Sequence, residues 1–185
     1  MAETDQTFQQ VLQAAKRGEE WAWREIYFTI SGRLIGYLAM KGAPDPEDQA
    51  AETLLQVARN IGTFDGDESS FRSWVFVIAH RRLIDSLRGQ GRRPSHVELE
   101  PEGRETETGD AEQEAIDRIT TTEMLDVLAT LTDDQREVIV LRVVSDLSLE
   151  QTAEVMGKRV GSVKALQRRA IANLRKHFEA VEVSQ

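Results

Sequence analysis

The chain has 185 residues, no cysteine and a formal net charge of −9. Without thiols it can hold no disulfide, thiolate metal site or cysteine nucleophile, and the lack suits a reducing compartment. Its apolar runs are too short to span a bilayer and Met1–Gln10 is polar, unlike a signal peptide, so a soluble cytoplasmic protein is expected, without membrane insertion.

In chain order, Phe8, Val11, Leu12 and Ala15 make a short amphipathic stripe, which Gly18 punctuates. Trp23, Ile26, Tyr27, Ile30, Leu34 and Leu38 recur at three or four residues and predict a long helix. After the turn Gly42–Pro46, Asp45 is placed to cap a helix from Pro46 to about Ile61, since proline suits a first helical turn. Gly62–Ser70 reads as a polar loop, with Ser70 expected to cap a helix from Phe71 to about Gly89. Glycines, prolines and a dense acidic run then mark a linker. Helical patterning is firm again by Leu125, Leu128 and Leu131, and a helix is expected over Asp133–Val144. No strand pattern of useful length occurs. The fold class expected is all-α: two small helical domains, 6–92 and 123–179, on a flexible acidic linker, 93–122.

The charge is uneven. Residues 95–122 carry −7, while 1–94 and 123–185 carry −1 each. Nearly neutral domains gain little from counterion release, so unaided DNA binding should be weak and delivery by a larger partner is expected.

Leu147–Gly157 and Val160–Lys164 read as two helices about a tight turn. Ser148 and Gln151 have capping-box spacing, and Gly157 stands where a first helix would stop. A second helix from about Val160 puts Val163, Ala170 and Leu174 on one face. Arg168, Arg169, Arg175 and Lys176 fall towards the other, around the small Ala165 and Ala172. That is the layout of a helix-turn-helix DNA reader, weighed against an ordinary hairpin with a solvated basic face.

A second candidate lies on the helix after Ser70. Its first half is apolar nearly all round (Phe71, Trp74, Val75, Phe76), and its second half carries Arg81, Arg82, Asp85 and Arg88. Such a helix can grip a nucleic-acid backbone. The acidic loop before it suits an unstacked base in contact with Phe64 better than duplex phosphate. On its own this face is more simply a solvated one; two such elements in one chain favour nucleic acid.

Together these residues resemble the extracytoplasmic-function (group 4) sigma factors of bacterial RNA polymerase. The likeness rests on Asp45-Pro46-Glu47-Asp48 with Glu52-Thr53, on Phe71-Arg72-Ser73-Trp74, Ile78-Ala79 and Ile84-Asp85, and on Leu131-Thr132, Gln135-Arg136-Glu137-Val138, Leu147-Ser148 and Val160–Lys164. It implies a promoter-specificity subunit that binds core polymerase at its clamp coiled coil and flap, binds promoter DNA, and is controlled by an anti-sigma factor. By the same resemblance, Asp45, Asp48, Glu52, Leu55 and Gln56 meet the polymerase. Phe64, Asp65, Ser69, His80, Arg81, Arg82, Asp85 and Arg88 serve the −10 element. Arg159, Ser162, Lys164, Ala165, Arg168 and Arg169 serve the −35 element. The linker is implied to thread a cationic channel of the polymerase.

The chain departs from the family pattern at Ala51, where glutamine is common, and at Arg81, where asparagine is. Lys158 stands at a usually apolar position and Arg159 at a usual cap. Gln167 falls near the apolar side of its helix and is assigned no base contact. An enzyme is not expected: His80, His96 and His177 are scattered, and no phosphate loop or nucleophile–base pair appears, so no cofactor and no metal is anticipated. A free-standing dimeric regulator is the alternative, and a protein-binding adaptor a third; neither accounts for both basic faces and the near-neutral charge.

Overall fold

The structure, a computed structural model, describes residues 2–89 and 127–183; the linker expected at 93–122 lies outside them. Among the described residues there are helices and turns and no strand.

Helix α1 (Ala2–Lys16) buries Phe8, Val11, Leu12, Ala14 and Ala15. The chain reverses at Gly18, whose φ of +83° is cheap for glycine alone. Helix α2 (Glu20–Met40) buries Ile26, Ile30, Leu34, Tyr37 and Leu38 on one stripe. Helix α3 (Pro46–Asn60) starts as its sequence dictates: proline fills the first turn and the Asp45 carboxylate accepts from the Asp48 backbone N–H at 2.9 Å. A short 3-10 turn, Ile61–Thr63, follows.

Helix α4 (Glu68–Gly89) begins before Phe71, and its cap is not Ser70. Asp67 Oδ1 accepts from the Ser70 N–H at 2.7 Å, which places Ser70 inside the first turn. Aspartate caps at least as well as serine, and hydrogen bonds from Ser70 hold the Asp67 carboxyl below its usual range.

The stretch Asp133–Val144 is helical as expected, but not as one α-helix. It runs as α5 (Asp133–Ile139) and then as a π-helix, Val140–Val144. The widened turn closes through Ser145 N–H to the Val140 carbonyl at 3.0 Å and ends at Asp146, with φ +53°. It keeps Val140 and Leu141 buried while Val143 points outward. Helix α6 (Leu149–Met156) carries the full capping box of Ser148 and Gln151, and Gly157 closes it at φ +61°. Helix α7 (Val160–Val183) is the last of the described elements.

Two helical groups are present, α1–α4 and α5–α7, and they are not separate bodies on a string. Val138, Leu141, Leu147, Val155 and Val163 share one apolar core with Val75, Phe76, Leu83 and the α2 stripe. Helix α4 packs on α6, and α2 meets the π-helical turn. Each large aliphatic buried this way contributes about 1.5–3 kcal/mol, enough to make the packed form a defined state.

Candidate nucleic-acid interface

The first cationic surface is α7. Val163 and Ala170 are fully buried against the rest of the group, which fixes the rotation of the helix. Ser162, Lys164, Arg168 and Arg169 are consequently exposed, with Ala165 half-buried among them. Gly161, Lys164, Ala165, Arg168, Ala172 and Arg175 line a shallow concavity along the helix. Small residues on its floor and cations at its rim admit a nucleic-acid backbone. Gln167 lines the same concavity, although its place on the helical wheel set it near the apolar side.

Arg159 is the N-cap residue of α7: its carbonyl accepts from Ser162 and Val163 at 2.9 and 3.1 Å, and its side chain is exposed. It supplies no capping acceptor, and its charge opposes the helix dipole. Lys158 is not left in an apolar site; it pairs with Asp134 at 3.1 Å across the start of α5.

The second surface is α4 with its preceding loop. Asp65, Arg81 and Asp85 are exposed. The Arg88 side chain lies outside the described residues. Phe64 is half-buried and stacks on Trp74, ring centroids 5.1 Å apart and planes 25° apart, with Phe71 edge-on to Phe64. The loop is tight at Gly66, where an added Cβ would stand 3.0 Å from Phe64 and 3.1 Å from Ser70. Gln9 donates to the Gly66 carbonyl at 2.9 Å, so α1 anchors the loop.

Arg82, Ser69 and His80, all expected at the −10 element, are held by polar protein partners. Arg82 donates to Gln56 and to Glu52, each at 3.1 Å, tying α4 to α3. Ser69 is bonded by Gln151, which donates to both its carbonyl and its hydroxyl at 3.1 Å. His80 Nδ1 lies 2.8 Å from the Tyr37 hydroxyl and 3.3 Å from Glu137.

The third surface is α3. Asp45, Asp48 and Leu55 are exposed, and Glu52 and Gln56 half-buried beneath Arg82. Beside them runs an apolar groove between α2 and α3, lined by Trp23, Tyr27, Ala51, Leu54, Leu55 and Ala58. Trp23 is partly buried against the core, while Tyr27 is about half exposed. Both lie on the α2 stripe, and periodicity alone cannot distinguish its covered edge from its open one.

One polar cluster had no signal in the sequence. Glu137 on α5 is buried, its carboxylate accepting from Tyr37 at 2.9 Å and from Lys41 at 2.8 Å. Tyr37 has a single hydroxyl hydrogen; given to Glu137, it leaves the oxygen to accept, which puts a proton on His80 Nδ1. Burial pushes the Glu137 carboxyl up. The hydrogen bond from His80 and the Lys41 ammonium outweigh it and hold the group at about 2. Burial and the neighbouring carboxylate raise Tyr37 well above the usual phenol range, so its proton stays. Among the described residues no group of acidic or histidine side chains is arranged to hold a metal, and no helix is long and apolar enough to cross a membrane.

Comparison with known proteins bears on these surfaces. Residues 31–93 match sigma-70 region 2, and residues 127–176 match sigma-70 region 4. The ECF RNA polymerase sigma factor SigD of Mycobacterium tuberculosis is 30% identical over 177 residues, covering 92% of this chain and 83% of SigD. The ECF RNA polymerase sigma factor BldN of Streptomyces coelicolor is 29% identical over 167 residues, 89% of this chain; the chain spans 63% of BldN's length. Two solved structures share the fold: CnrH in complex with the cytosolic domain of CnrY, at a TM-score of 0.61, 23% identity and coverage of 92% of this chain and 96% of that one, and RpoE in complex with the anti-sigma factor NepR from Bartonella quintana, at 0.59, 19%, 84% and 96%.

Proposed function

The chain belongs to the extracytoplasmic-function RNA polymerase sigma factors, and from that membership we propose that it is a promoter-specificity subunit, directing bacterial RNA polymerase to a dedicated promoter set under the control of an anti-sigma factor. The observation that carries this reading is the presence, in one chain, of the cationic face of α7, the exposed Arg81 of α4 beside its aromatic loop, and an apolar groove between α2 and α3. A free-standing dimeric regulator needs only one of the three.

The family works by binding, not by catalysis. In this reading α7 enters the major groove of the −35 element, with Lys164, Arg168 and Arg169 on phosphates and base edges around Ala165. Ser162 and Arg159 meet the backbone at the helix N-terminus. The α4 end, through Arg81 and Asp85, together with the Phe64–Ser70 loop, holds unpaired bases of the −10 element. Bases bound more tightly when unpaired shift the duplex towards its open form by the difference in binding free energy. Asp45, Asp48, Glu52, Leu55 and Gln56 dock on the polymerase clamp, with the α2–α3 groove taking apolar side chains beside them. The excess acid of residues 95–122 suits passage through a cationic channel.

Run-off transcription with purified core polymerase, with and without the protein, over a library of promoters from the source genome tests the reading. Template-specific transcripts that require the protein are expected. No transcript and no binding to core polymerase would overturn it and favour the free-standing regulator.

A further inference from the structure

We propose that the outward face of α2 pairs with the same face of a second copy of this chain, antiparallel, in a reversible homodimer built on Trp21, Glu25, Phe28 and Arg33. The inference uses no residue assigned to DNA or polymerase and stands apart from the sigma-factor reading.

Helix α2 is apolar nearly all round, yet it is covered on one side. From Ile26 to Met40 the single charged residue is Arg33. Ile26, Ile30, Leu34, Tyr37 and Leu38 make up the buried side. A helix covered on one side ordinarily turns a charged face to solvent, whereas one that is apolar all round is ordinarily enclosed. The outward side of α2 instead carries Trp21, 51% exposed, and Phe28, 73% exposed. The two lie about two turns apart and so on one line along the helix. Gly32 and Gly36 continue that line; both are exposed, and a Cβ added at either meets nothing within 4 Å. Large aromatic side chains held out in water beside open ground mark a contact surface.

Both aromatics are positioned by their neighbours. Trp21 Nε1 donates to Glu19 at 2.6 Å, and Arg17 donates to the other oxygen of that carboxylate at 2.7 Å. Phe28 lies edge-on to Tyr27, ring centroids 5.9 Å apart. Side chains ordered before contact lose little rotamer freedom on binding, which suits them as anchors.

Charge identifies the occupant as another copy. Glu25 and Arg33 lie on the exposed side of α2, one before and one after Phe28, and among the described residues neither has an ion-pair partner. They have opposite signs and stand about 12 Å apart along the axis. A two-fold axis at the level of Thr29 sets each Glu25 against the other copy's Arg33. The same operation brings Trp21 over the other copy's Gly36 and Phe28 beside its Gly32, where the missing Cβ atoms leave room for the rings. One register thus joins both charges and seats both aromatics, the self-complementarity that an isologous interface demands. A parallel pairing in register would set Glu25 against Glu25 and Arg33 against Arg33, which repels. About four turns of helix bury less than the roughly 1,200 Å² of a standard interface, so the dimer should dissociate on the order of 10 μM.

Sedimentation velocity of the full-length protein from about 1 to 200 μM tests the pairing. A dimer that grows over this range is expected; a chain monomeric throughout overturns the proposal. Phe28→Glu, at an exposed position, should keep the helical circular dichroism and raise the dissociation constant about ten-fold or more. Gly32→Leu, whose Cβ meets nothing in the single chain, should do the same by holding the two helices apart. A dimer indifferent to both variants lies elsewhere on the chain and overturns this face. Glu25→Arg and Arg33→Glu should each weaken pairing alone and restore it together; a double exchange that restores nothing overturns the antiparallel register. Core polymerase is the competing occupant. A monomeric wild type whose Phe28→Glu variant loses affinity for core polymerase would give the face to polymerase instead of a second copy. Because the dimer is measured without polymerase, failure of the sigma-factor reading would leave it standing.

Discussion

Arg82 on α4 donates to the Glu52 carboxylate on α3 at 3.1 Å, so a cation of the proposed −10 helix is held by the helix proposed to meet the polymerase. Both side chains are about a third or more exposed, at 32% and 45%. A pair of that exposure contributes at most about 1 kcal/mol to stability. Its consequence is positional: Arg82 is not free to grip a phosphate while Glu52 and Gln56 keep it.

A double-mutant cycle of Arg82→Ala and Glu52→Gln is therefore expected to show a coupling of about 1 kcal/mol or less in urea unfolding. The same cycle read as affinity for a single-stranded −10 oligonucleotide should show a gain for Glu52→Gln alone, since it weakens the hold on Arg82. An affinity unchanged by Glu52→Gln but lowered by Arg82→Ala would mean that Arg82 reaches DNA without leaving Glu52.

Acid should open the protein through Glu137. Its carboxyl is held at about 2 in the folded chain, against an ordinary 4.5. A depressed carboxylate contributes stability above its unfolded value and loses it as pH falls towards the folded one. The contribution is full above about pH 5 and disappears between about 4.5 and 2, amounting to about 3 kcal/mol at most. Urea midpoints measured from pH 7 down to pH 3 should fall more steeply for the wild type than for Glu137→Gln. Parallel curves would contradict the ion cluster formed with Tyr37, Lys41 and His80.

Arg159 sets stability against binding. Arg159→Ser should stabilise α7 by about 1 kcal/mol, by supplying a side-chain acceptor and removing a cation from the helix N-terminus. It should also weaken promoter binding, because a phosphate would no longer find that charge. Thermal melting and promoter affinity on the same samples read both effects. An unchanged promoter affinity would show that the cation at this cap has no phosphate partner.

The two cationic faces should fail differently. Arg168→Ala should weaken −35 duplex binding, by about 1–3 kcal/mol if it reads a base and by a loss of about one in the salt slope if it meets only phosphate. Arg81→Ala should leave duplex −35 binding alone and reduce promoter opening, seen as lower permanganate reactivity of −10 thymines. Equal defects of both variants in both assays would argue against a division of labour between α7 and α4.

Local chemistry made most elements legible. Asp45 before Pro46, and Ser148 three residues before Gln151, declare helix starts because the capping hydrogen bonds span only three residues. Gly157 declares a stop because its φ is disfavoured for any residue with a Cβ. The Ser70 cap was misread for the same local reason: Asp67 and Ser70 can each cap, and which one does depends on where Phe71 must turn to meet Phe8 and Phe64.

The exposed positions of Ser162, Lys164, Arg168 and Arg169 followed from helical period, because Val163 and Ala170 can face only the core. By itself, then, the sequence determined the all-helical class, the capped helix ends at Asp45, Ser148 and Gly157, and the basic side of α7, all set within one or two turns of chain. Only the tertiary structure decided that Glu137 is buried among Tyr37, Lys41 and His80, that Gln151 reaches Ser69, and that Arg82 answers to Glu52. Glu137 lies 100 residues from Tyr37, and Gln151 lies 82 from Ser69. No periodicity carries information over such separations; the packing of α4 on α6, and of α2 against the π-helical turn after α5, brings these residues together.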